Sequence, residues 1–241
     1  MIAVKTENLR KEYKDIVAVS DINIEVEEGR IFALLGVNGA GKSTLIKMLT
    51  TVLKPTSGDA FIFGNSVIKS AEKVRDLIDV SFQETSIARK LTVKENIEFY
   101  AKLCGKRKEE TEMIKDKLYA EFGFKKTENK RAEKLSGGWQ RKLSIALSLV
   151  KNPRVLFLDE PTLGLDVIAR RDLWAIIKRL KGKTTVILTT HYMEEAEELS
   201  DELGIISEGK LLFVGSKSEL YLKTGENTVE KAFIKTVGET L

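Results

Sequence analysis

The chain alternates fully apolar runs with stretches of helical spacing. Ile31-Phe32-Ala33-Leu34-Leu35 and Val155-Leu156-Phe157-Leu158 are apolar throughout, and Thr184-Thr185-Val186-Ile187-Leu188 is rich in β-branched residues. Runs of this kind predict strands covered on both faces, as in a parallel sheet. Ile22-Asn23-Ile24-Glu25-Val26 alternates instead and predicts a half-exposed strand. Residues 2–9 alternate loosely and predict another, followed by a polar turn at Glu12-Tyr13-Lys14-Asp15. Ala60–Phe63 and Ile78–Phe82 add two more strands, and Leu203–Ile206 with Leu211–Val214, joined through Glu208-Gly209, predict a closing hairpin.

Helical spacing starts at Thr44 and runs to about Leu53, where Pro55-Thr56-Ser57-Gly58 stops it. A short helix is predicted from Ser70 to Asp76. From about Glu84 to Lys151 strand signals vanish. Thr92-x-x-Glu95 is a capping box opening a helix to Leu103. Gly105-Lys106-Arg107-Lys108 breaks it, Glu109–Phe122 forms a second helix, and Gly123 caps that one. Ser136 is an N-cap candidate for a third, Trp139–Val150. Further helices are predicted over Val167–Leu180 and, short and acidic, over Met193–Leu199. The tail from Thr224 onward is polar. No internal repeat or low-complexity segment is visible. The pattern predicts an α/β fold with a mostly parallel sheet, an N-terminal antiparallel β part and an inserted helical part. The expected division is one domain over 1–241: core over 1–83 and 152–223, helical insertion over 84–151, tail over 224–241.

Composition changes this picture little. With 42% hydrophobic and 32% charged residues the chain is an ordinary globular protein. Its net charge of +4 is too mild to call for a nucleic-acid partner. A single cysteine, Cys104, excludes an internal disulfide and fits a reducing compartment. Met1–Arg10 lacks the apolar core of a signal peptide, and no apolar run approaches the roughly 20 residues that span a bilayer. Work at a membrane would therefore need another chain to hold this one there.

The chemistry starts at Gly36–Thr44, GVNGAGKST, which fits the phosphate-loop pattern between a strand and a helix. Gly36, Gly39 and Gly41 free the backbone to point successive N–H groups at one anion. Asn38 and Ala40 complete the loop. Lys42 supplies a cation for phosphates, Ser43 a hydroxyl for Mg²⁺, and the helix dipole from Thr44 onward adds to both. Asp159 and Glu160 end an apolar strand, where a parallel sheet places its ligand crevice. Asp159 suits Mg²⁺ and Glu160 suits a general base for water. Leu135-Ser136-Gly137-Gly138-Trp139-Gln140 puts two glycines at a helix start, a second anion site in one chain. One phosphate loop already serves one nucleotide, so this second site suggests a surface that meets a nucleotide bound to another copy.

These stretches together resemble the nucleotide-binding subunit of an ATP-binding cassette (ABC) transporter, over essentially the whole chain and in the family's order. The stretch from Leu135 to Gln140 resembles the LSGG-Q segment diagnostic of that family. The resemblance implies that ATP and Mg²⁺ are bound. Tyr13 then matches the aromatic that stacks on adenine, and Gly36–Thr44 the phosphate loop. Gln83 matches the glutamine that touches Mg²⁺ and water and relays to the membrane partner. Ser136, Gly137 and Gly138, with Gln140, match the segment that clamps the opposite protomer's ATP. Asp159 and Glu160 match the Mg²⁺ aspartate and catalytic glutamate, Leu165-Asp166 the loop crossing the dimer interface, and His191 the switch histidine at the γ-phosphate. Trp139 departs from the family, bulky at a variable position, and is expected at the dimer interface or against the helical part. Leu163 and Gly164 vary within a recognisable frame.

A narrower likeness, carried by His191–Glu197 and Leu91-Thr92-Val93-x-Glu95-Asn96, is to the drug-, polysaccharide- and lipid-export branch of bacteria and archaea. It implies an ATPase motor on the cytoplasmic face of the membrane, partnered by a separate transmembrane permease and a second cassette. The alternative is a cassette ATPase acting on ribosomes or DNA. Its relatives usually carry two cassettes or a long coiled coil, and this chain has one cassette and no heptad run. A phosphate-loop kinase would leave Leu135–Gln140 unexplained.

Overall fold

The computed structural model describes residues 1–238; the last three residues of the predicted tail lie outside them. In chain order the elements are β1 (Ile2–Tyr13), β2 (Ile16–Ile22), β3 (Glu25–Glu27), β4 (Ile31–Leu35), α1 (Lys42–Leu49), β5 (Ser57–Ile62), β6 (Asn65–Ser66), α2 (Ala71–Leu77) and β7 (Ile78–Ser81). Next come α3 (Val93–Leu103), α4 (Lys108–Phe122) and α5 (Gly137–Ser148), then β8 (Val155–Asp159), α6 (Val167–Lys178), β9 (Thr185–Thr190) and α7 (Met193–Leu199). The chain closes with β10 (Glu202–Ser207), β11 (Lys210–Ser216), α8 (Lys217–Thr224) and α9 (Val229–Gly238).

The central sheet has the order β11-β10-β4-β9-β8-β7. Its strands from β10 to β7 pair in parallel, and β11 adds an antiparallel edge. Its inner strands are apolar throughout because they are covered on both faces. Successive side chains point to opposite sides, so each strand feeds two cores. Ile31, Ala33, Leu35, Leu156, Leu158, Val186 and Leu188 enter the core shared with α3–α9. Phe32, Leu34, Val155, Phe157 and Ile187 enter the core beneath α1 and the antiparallel sheet. That second sheet has the order β2-β1-β5-β6, with β3 also on β1.

Several boundaries differ from expectation for identifiable reasons. Glu12 and Tyr13 do not form the turn. They extend β1, and the hairpin turns at Lys14-Asp15, with Lys14 at φ 49°. The strand expected over 22–26 is two strands, β2 and β3. Positive φ at Asp21 and the side-chain pair of Asn8 with Asn23 break the ladder between them. The helix after the phosphate loop ends at Leu49, where the Thr50 hydroxyl bonds back to Ile46 O at 2.8 Å and Thr51 takes φ 62°. The capping box at Thr92 forms, with Thr92 N donating to Glu95 Oε2 at 2.7 Å, and Gly123 caps α4 at φ 76°.

Beyond β11 the polar stretch carries two helices. α8 opens on a second capping box, Ser216 with Glu219. α9 is amphipathic and buries Val229, Ala232 and Phe233 in the larger core. Truncating Phe233 to alanine removes a ring that is 5% exposed. We expect a loss of about 3 kcal/mol in a urea titration; an unchanged midpoint would show that α9 contributes nothing to the core.

Candidate functional site

The parallel order decides which residues meet. β4, β9, β8 and β7 are neighbours, so the loops at their carboxyl ends open on one edge. β4 delivers the phosphate loop, β9 delivers His191, β8 delivers Asp159 and Glu160, and β7 delivers Gln83. They enclose a cavity of about 430 Å³ lined by Ala18, Asn38–Thr44, Gln83, Glu160, Leu163 and His191. Gly36 lies behind the lining; its carbonyl accepts from Lys42 Nζ at 2.7 Å.

The loop has little room for side chains. Gly41 takes φ 105°, and a Cβ there would stand 2.3 Å from Ala18 O. Ala40 O accepts from Gly209 N, while Gly209 O accepts from Ser20 N at 2.8 Å. The two sheets and the loop are thus joined at one point.

The polar groups of the cavity are buried and paired. Lys42 Nζ is 3.2 Å from Glu160 Oε1, both side chains less than a tenth exposed. Glu160 Oε2 lies 2.8 Å from His191 Nδ1. One carboxylate is therefore held between a cation and an imidazole. The Glu160 backbone takes φ 49°, a strained value for a residue with a Cβ, held by its N–H donating to Thr189 O and Oγ1. Asp159 Oδ1 accepts from Ser43 Oγ at 3.2 Å and from Thr189 Oγ1 at 2.5 Å.

Some expected residues stand apart from the cavity. Tyr13 lies at the tip of the β1–β2 hairpin, half exposed, with Lys11 Nζ 5.1 Å from its ring centre. It does not line the cavity, although Ala18 of the same hairpin does. Ser136 occupies the cap position of α5 but makes no capping bond, so its exposed hydroxyl is turned outward. Nothing lies within 4 Å of where a Gly137 Cβ would be. Gln140, expected on the nucleotide, turns its amide inward instead, donating to Ala132 O and Leu135 O at 3.1 Å each. It braces the segment that presents Ser136. Asp166 caps α6 through Ala169 N at 2.9 Å and is exposed. Trp139 packs on the helical part, its ring centre 6.0 Å from that of Phe124.

Sequence reasoning missed Arg141. The residue is 5% exposed, and its guanidinium donates to Pro161 O, Phe82 O, Gln83 O and Asp159 O. It thus ties the Gln83 loop to the Asp159–Pro161 segment from a helix that carries neither. Burial pushes its pKa down to about 10, and the charges of Asp159, Glu195 and Glu160 oppose that shift, so it stays charged near neutrality.

A triphosphate fits this arrangement: a glycine loop, a buried lysine and a helix N-terminus share the cavity. Ser43 Oγ, Asp159 Oδ1 and the Gln83 side chain offer hard oxygen donors for Mg²⁺. Among the described residues no cluster of three or more His, Cys, Asp or Glu forms a cage for a metal. A Mg²⁺ ion held partly by substrate phosphates needs none.

The comparisons agree with this geometry. The ABC transporter family pattern matches residues 19–163, more than half of the chain. This chain belongs to the ABC transporter family. The cassette is 40% identical over 227 residues to the human phospholipid-transporting ATPase ABCA3, covering 92% of this chain and 13% of that protein. It is 36% identical over 241 residues to the probable multidrug ABC transporter ATP-binding protein YbhF of Escherichia coli, covering 97% and 41%. The chain thus spans well under half of these relatives. Two solved structures share the fold of the ABC ATPases nearly end to end. An ATP-binding subunit of an ABC transporter superposes with a TM-score of 0.87 at 25% identity, covering 98% and 99% of the two chains. The cbiO1 protein of Clostridium perfringens, part of the ABC transporter complex cbiONQ, superposes with a TM-score of 0.85 at 28% identity, covering 100% and 96%. As a member of an ATPase family the chain is an ATP-binding protein.

Removing Arg141 would leave four carbonyls without their donor, two of them in buried bonds. Arg141→Ala is expected to cost about 2–4 kcal/mol in a denaturant titration and to lower ATP turnover. A variant with wild-type stability and turnover would show that the four bonds position nothing.

Proposed function

We propose that this cassette is the ATP-hydrolysing motor subunit of an exporter, driving a separate membrane-spanning permease from the cytoplasmic face of the membrane. The observation that carries this is Glu160, held between Lys42 and His191 on the edge that also carries the phosphate loop. Lys42 and the N-terminus of α1 bind and orient the phosphates. Glu160 accepts the proton of the attacking water, and His191, 2.8 Å away, holds the Glu160 carboxylate in place. Ser43, Gln83 and Asp159 are the residues that would hold Mg²⁺, which when bound neutralises charge on the phosphates.

The working unit is a pair of cassettes, two copies of this chain or this chain with a paralogue. Each ATP lies between Lys42 of one cassette and Ser136, Gly137 and Gly138 of its partner. The free Ser136 hydroxyl and the open space at Gly137 support this. The exposed apolar residues Leu163, Val167 and Ile168 beside Asp166 support a partner surface there. The permease takes the groove of about 460 Å³ beside Gln83, lined also by Lys47, Val52, Phe82 and Glu84. Among the described residues no helix is long and apolar enough to cross a membrane.

Glu160→Gln should leave ATP binding intact, slow hydrolysis by about a hundredfold or more and trap the paired state on a sizing column with ATP. Normal turnover in that variant would remove Glu160 as the base. Lys42→Ala should weaken nucleotide binding about tenfold or more, read by a fluorescent ATP analogue. Capture of the tagged chain from gently solubilised membranes tests the coupling. A polytopic membrane protein in near-equal amount is expected; ribosomal proteins or DNA in its place would move the motor to another task.

A further inference from the structure

Glu195 is the residue of this region that the hydrolysis scheme leaves unused. It sits in α7 and is fully buried, while its helix neighbour Glu194 is two-thirds exposed. Glu194, Glu197 and Glu198 meet basic or phenolic partners at the surface: Arg170, Tyr221 and Lys178. Glu195 points inward instead, where a carboxyl costs free energy that an apolar side chain would not. Burial pushes its pKa up, and bonds from Thr190, Thr162 and Trp174 oppose that shift.

Its partners explain the placement. Glu195 Oε1 accepts from Thr162 Oγ1 at 2.8 Å and from Trp174 Nε1 at 3.0 Å. Thr162 is two residues after Glu160, in the loop that leads to Asp166. Glu195 itself is four residues after His191. Trp174 comes from α6, the helix that Asp166 caps. One buried carboxyl oxygen thus joins the segment behind the base, the helix behind the histidine and the helix beyond the partner-facing loop. The distance that such a joint controls is the 2.8 Å between Glu160 Oε2 and His191 Nδ1. Glu160 is the less stable end of that pair, because its backbone is strained at φ 49° and needs support from its surroundings.

We infer that Glu195 is a positioning residue for ATP hydrolysis, holding the Glu160 loop against the His191 strand end through Thr162 and Trp174. The inference rests on the ATPase reading above. Glu195 does not line the cavity, so it acts on turnover and not on nucleotide affinity. The geometry requires an acceptor oxygen and not a charge, and an amide provides one.

The test is steady-state ATP turnover and equilibrium ATP binding by the full chain. Glu195→Ala should lower kcat about tenfold or more, with ATP affinity within about threefold of the starting protein. Glu195→Gln should restore kcat to within about threefold, because its amide oxygen accepts the same two bonds. Thr162→Val should reproduce the loss, and adding it to Glu195→Ala should lower kcat little further, since the two act through one bond. Equal kcat in Glu195→Ala and the starting protein would overturn the inference. So would a loss of ATP affinity matching the loss of kcat, or failure of Glu195→Gln to rescue. If Glu195→Ala does not fold, Thr162→Val decides: wild-type turnover there overturns it. A starting protein that binds ATP but never hydrolyses it, with or without the captured permease, would sink the ATPase reading instead.

Discussion

Charge inside a protein must be paired, and this structure is arranged around that constraint. Lys42, Arg141, Asp159 and Glu160 are each less than a tenth exposed. Unpaired, any one of them would cost several kcal/mol. Each finds its partner at the carboxyl edge of one parallel sheet: Lys42 on Glu160, Asp159 on Ser43 and Thr189, Arg141 on four carbonyls. The strand order follows as the geometric means. Only if β4, β9 and β8 are neighbours can the lysine, the histidine and the two acids reach one another. Apolar strands are in turn what bury that edge, by filling a core on each face of the sheet.

How far this was legible in the sequence varies with the range of the interaction. The strands β4, β8 and β9 announce themselves because they are covered on both faces and so are apolar throughout. The phosphate loop does so because only glycine meets its backbone demands; at Gly41 a Cβ would run into Ala18 O. The capping box at Thr92 is local by nature. What was missed depends on contacts far apart in sequence. Arg141 reads as an ordinary basic helix residue until β7 and β8 bring their loops beneath it, 18 to 59 positions away. Glu195 reads as one more acid in an acidic helix until Thr162 and Trp174 are seen across the core. α8 is a different case. Its Ser216-x-x-Glu219 box was present in the sequence, as visible as that at Thr92, and was hidden only by the polarity around it. α9 joins the core through a face of Val229, Ala232 and Phe233 set among charged positions, a stripe that mean polarity conceals.

The segment around Ser136 separates two roles that sequence had merged. Of its polar side chains, Gln140 is spent internally, donating to Ala132 O and Leu135 O, and Trp139 is spent on Phe124. Both stiffen the start of α5. Ser136 and Gly137 are spent on nothing within the chain. A helix N-terminus kept rigid from behind and open in front is suited to an anion that arrives from outside. The bulky Trp139 therefore leaves the open face of the helix start unchanged, since its ring lies on the helical side.

The site in one chain is thus complete for chemistry and incomplete for charge. Lys42 already neutralises Glu160, so this lysine would have to serve both its carboxylate and a triphosphate bearing several negative charges. The loop N–H groups and the N-terminus of α1 already add positive potential there, and the start of α5 offers a further helix dipole equivalent to roughly half a charge. That helix start is exposed and does not line this cavity. The pairing proposed above would supply that potential at both cavities at once.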